Sequence, residues 1–145
     1  MNAAIQLIQT FDNKFSIQQA SSIYETATWG KLHQPKYLNQ VVVIDTFLSP
    51  FQLLNRLKKI EKQLGRKHKN LLANRVIDID ILLYNDIVFQ TKQLQIPHPR
   101  MHLRQFTLIP LNEIAADYEH PILKVKIKDI LINCEDTLKV SIFEQ

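Results

Sequence analysis

The stretch Arg75-Val76-Ile77-Asp78-Ile79-Asp80-Ile81-Leu82 decides the fold class. Apolar and acidic residues alternate in it, which is the pattern of a β-strand with one face toward a core. We expect a strand over residues 76–84, in which the three isoleucines pack inward. Asp78 and Asp80 then share the opposite face, about 7 Å apart along the backbone.

The two aspartates favour a metal site over an ordinary exposed edge. Neighbouring carboxylates repel each other and are best tolerated where a cation lies between them. Mg²⁺ takes oxygen ligands, usually from one or two carboxylates and from substrate phosphates. The alternative is a pair of solvent-facing aspartates, but the residues around Asp78 and Asp80 are too apolar for an exposed edge.

Basic residues come just before the acidic strand, in a stretch without apolar periodicity that predicts a loop over residues 66–74. They are Arg66, Lys67, His68, Lys69 and Arg75. Taken alone they are typical of a solvated basic loop. Beside a metal-carboxylate site, however, arginine and lysine neutralise the remaining charge of a polyphosphate. The combination therefore favours phosphate binding.

Composition narrows the function classes. The chain has 145 residues, of which 46% are hydrophobic, so we expect one soluble globular domain over residues 1–145. With only two glycines, the chain has neither a dinucleotide fingerprint nor a P-loop, and a nucleotide must be bound by side chains. A single cysteine, Cys134, excludes an intramolecular disulfide and a cysteine-rich zinc site, and suits a reduced cytoplasm.

Charge and hydropathy indicate the kind of partner. A net charge of +4 suits an anionic ligand. Apolar runs have strand length and stay below the roughly 18 residues of a membrane span. We therefore expect no membrane segment and no signal peptide.

The remaining pattern predicts an α+β fold with a mostly antiparallel sheet covered by helices. Ser49 and Pro50 begin the clearest helix, and Gly65 is expected to end it in a left-handed conformation. Further helices are predicted over residues 2–11, over part of 103–116 with a break near Pro110, and over 127–132. Strands are predicted over residues 15–26, 37–47, 87–90 and 138–143.

Aromatic and polar residues offer a second site. Tyr37 and Asn39 flank one residue of a predicted strand, so both side chains point the same way. They offer a ring face and an amide edge to a planar heterocycle, with Phe106 as the opposite wall. His98, between two prolines, is held in place and suits donation to a phosphate or ribose. Taken singly, each of these residues also suits a core, turn or surface position.

In combination these segments resemble the 6-hydroxymethyl-7,8-dihydropterin pyrophosphokinase family of folate synthesis. The resemblance covers residues 15–116, and it is specific only as a combination. The matching motifs are Gln34-Pro35-Lys36-Tyr37-Leu38-Asn39, Ile60-Glu61, Leu64-Gly65-Arg66, Arg75-Val76-Ile77-Asp78-Ile79-Asp80-Ile81-Leu82, Ile96-Pro97-His98-Pro99-Arg100-Met101, Arg104 with Phe106, and Leu111-Asn112-Glu113-Ile114-Ala115.

The resemblance implies a ferredoxin-like sandwich and the transfer of pyrophosphate from ATP to the pterin hydroxymethyl group, leaving AMP. It implies two Mg²⁺ ions at Asp78 and Asp80, with Arg66 and Arg75 completing the catalytic set. The implied ATP-binding residues are Glu61, Arg66, Arg75, Ile81, His98 and Arg104. The implied pterin-binding residues are Thr26, Tyr37, Asn39, Asp78 and Phe106.

Departures from the family pattern leave alternatives. The family's opening strand and its Gly-Ser-Asn turn have no counterpart in residues 1–145, and Leu72-Ala73-Asn74 stands where Trp-Gly-Pro usually precedes Arg75. A catalytically degenerate homologue, kept as a nucleotide-binding or interaction protein, is the first alternative. A small basic RNA-binding α+β domain is the second, although acidic residues beside Tyr84 disfavour a nucleic-acid backbone. We expect small-molecule substrates and no nucleic-acid partner.

Overall fold

A computed structural model of the chain describes residues 2–11, 13–27, 36–66 and 77–144. It has a ferredoxin-like α+β fold, as predicted. The helices are α1 (Asn2–Phe11), α2 (Pro50–Arg66), α3 (Gln105–Ala115) and α4 (Ile127–Ile132), with a short 3₁₀ helix at Met101–Leu103. The strands are β1 (Phe15–Ala20), β2 (Tyr24–Thr26), β3 (Tyr37–Asn39), β4 (Val42–Thr46), β5 (Phe89–Gln90), β6 (Gln95–Ile96) and β7 (Val140–Ile142).

All strand pairs among the described residues are antiparallel. β1 pairs with β4, β2 lies between β3 and β7, and β5 pairs with β6. The two long strands predicted over residues 15–26 and 37–47 are each divided. At the division, Ser21 donates its backbone N–H to the Val41 carbonyl (2.9 Å) and accepts the Val41 N–H on its hydroxyl (3.0 Å). The buried serine thus provides hydrogen-bond partners for the backbone at the point where both predicted strands divide between two sheets.

Helix α2 begins as predicted and ends later. The Ser49 hydroxyl accepts the Gln52 N–H (3.4 Å), while the Gln52 side chain accepts the Ser49 N–H (3.0 Å), which is a capping box. The predicted stop at Gly65 is wrong, because the helix continues to Arg66. Gly65 has no positive φ, and a Cβ there would meet nothing within 4 Å. Its conformation is therefore one that any residue adopts.

Residues 77–84 keep the predicted side-chain alternation but are not a strand. Ile77, Ile79 and Ile81 contribute to the core beneath α1 and α2, while Asp78 and Asp80 are exposed. Within the described ranges, no strand lies alongside to form a ladder. The Ile79 N–H is instead taken by a side chain of α2. The predicted strand is wrong because no strand in the described part of the chain pairs with these residues.

Three other predictions need correction. The strand expected over 87–90 is only Phe89–Gln90, which pairs with β6. The Phe89 ring packs edge-on against Phe51 of α2 (5.1 Å between ring centroids). The strand expected over 138–143 is only β7. Pro110 does not break α3, since it is buried between the core residues of that helix and packing outweighs the lost backbone bond.

Two apolar clusters form the core. The first lies under α1 and α2 and includes Ile60 and Ile96, both fully buried. The second joins α3 to α4 through Leu108 and Ile127, also fully buried. In the part of the chain that the structure describes, no helix is both long and apolar enough to cross a bilayer.

Candidate active site

A glutamate of α2 holds the acidic segment in place. Glu61 lies in the fourth turn of α2, and its Oε1 accepts the backbone N–H of Ile79 at 2.6 Å. Ile79 separates Asp78 from Asp80, and both aspartates are exposed while their isoleucine neighbours face the core. This bond therefore attaches the backbone between the two aspartates to α2.

A cavity of about 240 Å³ opens beside this segment. It brings together Asp80, Ile81 and His98 from the sequence prediction. Its other lining residues are Leu54, Ile79, Lys92, Gln93, Leu94, Gln95 and Pro99. The sequence did not indicate Leu54 as a site residue, because it belongs to the apolar stripe of α2. Lys92 was missed because a single lysine between two short strands forms no pattern.

His98 is oriented by its own backbone and by its neighbour. Its N–H donates to the Leu82 carbonyl at 2.8 Å, and its Nδ1 accepts the Arg100 N–H at 3.1 Å. The neutral ring therefore carries its proton on Nε2. Burial lowers the pKa of His98, Asp80 raises it, and the positive charges of Arg104 and Arg100 lower it further. His98 is thus a neutral hydrogen-bond donor beside the cavity.

Arg104 connects the cavity to α3. Its guanidinium lies over the Phe106 ring, with 5.5 Å from Cζ to the ring centroid. It is also close enough to His98 for its charge to lower the pKa of that histidine. Arg104 therefore contacts the aromatic ring predicted to line the pterin site and also acts electrostatically on His98.

The strand pair β2–β3 presents the other predicted pterin residues on one face. Tyr24 lies opposite Asn39, and Thr26 lies opposite Tyr37, so all four side chains project to the same side. The Asn39 amide donates to the Thr26 hydroxyl at 2.7 Å. Thr26 is buried, while Tyr37 is 67% exposed. This face therefore combines a polar pair, Thr26 and Asn39, held by a hydrogen bond, with the accessible ring of Tyr37.

The donor set suits a hard divalent cation that also binds phosphate. Among the described residues, no three side chains of the His, Cys, Asp or Glu types form a metal-binding group. Mg²⁺ does not require such a group, because it retains waters and binds substrate phosphates in addition to one or two carboxylates. The exposed pair of Asp78 and Asp80 fits that requirement.

The predicted phosphate-binding arginines lie outside the described residues. Arg75 and the basic residues 67–69 fall in the range 67–76, which the structure does not describe. Arg66 ends α2, but its side chain is likewise not among those described. Their predicted roles stay predictions. The side chains of Asp78, Glu61, Tyr37 and Phe106 are described, but their predicted contacts with ligands also stay predictions.

Comparisons with known proteins agree on one family. The family model for 7,8-dihydro-6-hydroxymethylpterin-pyrophosphokinase (HPPK) matches residues 1–116. The 2-amino-4-hydroxy-6-hydroxymethyldihydropteridine pyrophosphokinase of Aquifex aeolicus is 40% identical over 93% of this chain and 83% of its own length. The Haemophilus influenzae protein of the same name is 40% identical over 83% of this chain and 75% of its own length. The Bacillus subtilis protein of that name is 44% identical over 72% of this chain and 62% of its own length.

Proposed function

This chain belongs to the HPPK family, and we propose that it transfers pyrophosphate from MgATP to 6-hydroxymethyl-7,8-dihydropterin. The products are AMP and the pterin pyrophosphate. The observation that supports this best is that Arg104 lies over the ring of Phe106, while its positive charge lowers the pKa of His98 at the cavity. That position would place the phosphate chain of ATP next to a stacked heterocycle.

The reaction needs positioning more than covalent chemistry. The pterin hydroxyl oxygen attacks the β-phosphorus of ATP, the bond from that phosphorus to the oxygen of the α-phosphate breaks, and the hydroxyl proton is lost to solvent. Alignment of the two substrates and neutralisation of the phosphate charge supply most of the acceleration in such transfers. Two sites that hold the substrates in fixed orientation would suit that task.

The nucleotide would occupy the cavity lined by Asp80, Ile81 and His98. Ile81 offers an apolar wall, and the Nε2 proton of His98 offers a donor to a phosphate or ribose oxygen. Asp78 and Asp80 would hold two Mg²⁺ ions. When bound, those ions would neutralise phosphate charge and lower the pKa of a coordinated hydroxyl.

The pterin would lie between Tyr37 and Phe106. Flat heterocycles stack on aromatic rings in offset or edge-on arrangements, and the exposed Tyr37 ring is available for that contact. Asn39 and Thr26 already share a hydrogen bond, which fixes the amide that would read the edge of the pterin. Phe106 is in contact with the guanidinium of Arg104 on one face of its ring.

Arg66 and Arg75 complete the proposed catalytic set by binding phosphate, with Arg66 closest to the reacting group. These substrates are small molecules, and we propose that the chain acts on them as one domain in the cytoplasm. The latter rests on the single Cys134, which suits a reducing compartment.

Product analysis tests the proposal directly. The purified chain is incubated with ATP, Mg²⁺ and the dihydropterin, and nucleotides are separated by chromatography. We expect AMP and pterin pyrophosphate in equal amounts, with no AMP when pterin is omitted or when EDTA is present. Bound MgATP without AMP formation would instead support the catalytically degenerate homologue.

A further inference from the structure

Glu113 of α3 accepts hydrogen bonds from Ser22, which lies between β1 and β2, and from Tyr24 of β2. Its Oε1 accepts both the backbone N–H and the hydroxyl of Ser22, each at 2.9 Å. Its Oε2 accepts the Tyr24 hydroxyl at 2.7 Å. The residues joined are about ninety positions apart in sequence, so these bonds fix tertiary structure and not a local turn.

The protonation states of Tyr24 and Glu113 favour the hydrogen bond between them at neutral pH. Burial raises the pKa of Tyr24 to about 12, and the hydrogen bond to Glu113 adds to the effect. Burial alone would raise the pKa of Glu113, but the bonds from Tyr24 and Ser22 outweigh it and lower the pKa. At neutral pH the tyrosine therefore donates and the carboxylate accepts.

The contact connects the two walls of the proposed pterin slot. Tyr24 is the first residue of β2, and Thr26 of the same strand accepts a hydrogen bond from the Asn39 amide. Tyr37 lies opposite Thr26 on β3. Glu113 is seven residues beyond Phe106 on α3, which places both on one side of the helix about 10 Å apart. The helix is thus tied to β2 on the side that also carries Phe106.

We propose that Glu113 is a positioning residue for the pterin, because it sets the distance between Phe106 and the face of β2–β3. This inference rests on the proposed function. The residue does not touch the substrate. Its loss lets α3 shift against the strands, which widens the slot between Phe106 and Tyr37. The nucleotide cavity is lined from α2, residues 79–81 and the segment of residues 92–99, and it keeps its shape.

The test is steady-state kinetics with both substrates on the full chain. For Glu113→Gln, whose amide oxygen replaces only one acceptor, we expect KM for the pterin to rise about tenfold. We expect kcat and KM for ATP to stay within about twofold of the parent. Glu119→Gln, on the exposed surface after α3, is the matched control and should change nothing.

Two further variants keep the test decisive if Glu113→Gln folds poorly. Tyr24→Phe removes one hydrogen-bond donor and should raise KM for the pterin about threefold. Glu113→Asp keeps the negative charge but has a shorter side chain, so its KM for the pterin should also stay above that of the parent. Equal changes for ATP and pterin, or an unchanged KM for the pterin, would overturn the positioning role. A parent chain that makes no AMP and binds no pterin would overturn the proposed function, and this inference with it.

Discussion

Replacing Glu61 by alanine tests how the acidic segment is held. The Glu61 carboxylate accepts the Ile79 N–H at 2.6 Å, and within the described residues no strand is available to replace it as partner. A hydrogen bond to a charged group contributes about 1.5–3 kcal/mol, and a half-exposed group falls at the low end. We therefore expect Glu61→Ala to cost about 1–2 kcal/mol.

Two assays measure the consequence. For a chain of this size, that loss lowers the melting temperature by about 3–8 °C. Because Asp78 and Asp80 flank the freed Ile79, MgATP should also bind at least about tenfold more weakly by titration calorimetry. Glu61→Gln keeps a carbonyl oxygen that can accept the Ile79 N–H. Its melting temperature and its affinity for MgATP should therefore fall less than those of Glu61→Ala.

Lys62→Ala is the matched control, since Lys62 is the next residue of α2 and is exposed. It should leave the melting temperature and the MgATP affinity within error of the parent. If Glu61→Ala behaves like Lys62→Ala in both assays, the Glu61–Ile79 bond does not position the carboxylates.

Further predictions concern the core and the titrating groups. Ile60→Ala removes a fully buried side chain and should lower the free energy of unfolding by about 2–5 kcal/mol in urea, against less than about 0.5 kcal/mol for the exposed Lys59→Ala. Burial lowers the pKa of His98 and of His120 from 6.5, so urea stability should be full above about pH 6.5 and fall as the pH drops toward their folded-state values. His120→Gln should reduce that fall, and an unchanged profile would show that His120 does not contribute. The Tyr24 pKa of about 12 predicts stability that is lost between pH 10 and 12, and Tyr24→Phe should remove that loss.

The sequence predicts best what depends on periodicity. Alternation of isoleucine and aspartate correctly predicts which side chains of residues 77–81 face the core, and Ser49 correctly predicts the start of α2. Both rules concern residues within a few positions of each other. They need no knowledge of distant partners.

Tertiary partners explain what the sequence could not predict. Alternation cannot tell whether residues 77–84 have a neighbouring strand, and here Glu61 takes a backbone donor instead. Nothing local marks Ser21 as the corner where two strands divide, because its role depends on Val41. For the same reason the sequence could not predict the hydrogen-bond partners of Glu113, which lie far away in the chain, or the position of Lys92 at the cavity.

Metal binding by Asp78 and Asp80 is the proposal on which the assignment of the ATP site depends. It is tested most directly by AMP formation from MgATP and the dihydropterin in Asp78→Asn and Asp80→Asn, with Asp86→Asn in the exposed turn as the control. Loss of one preorganised electrostatic group typically costs about 10²–10³-fold in rate, and we expect at least that from each site variant. The control should react like the parent, and melting temperatures should confirm that all variants fold. AMP formation at the parental rate by either site variant would show that the replaced aspartate does not bind the metal.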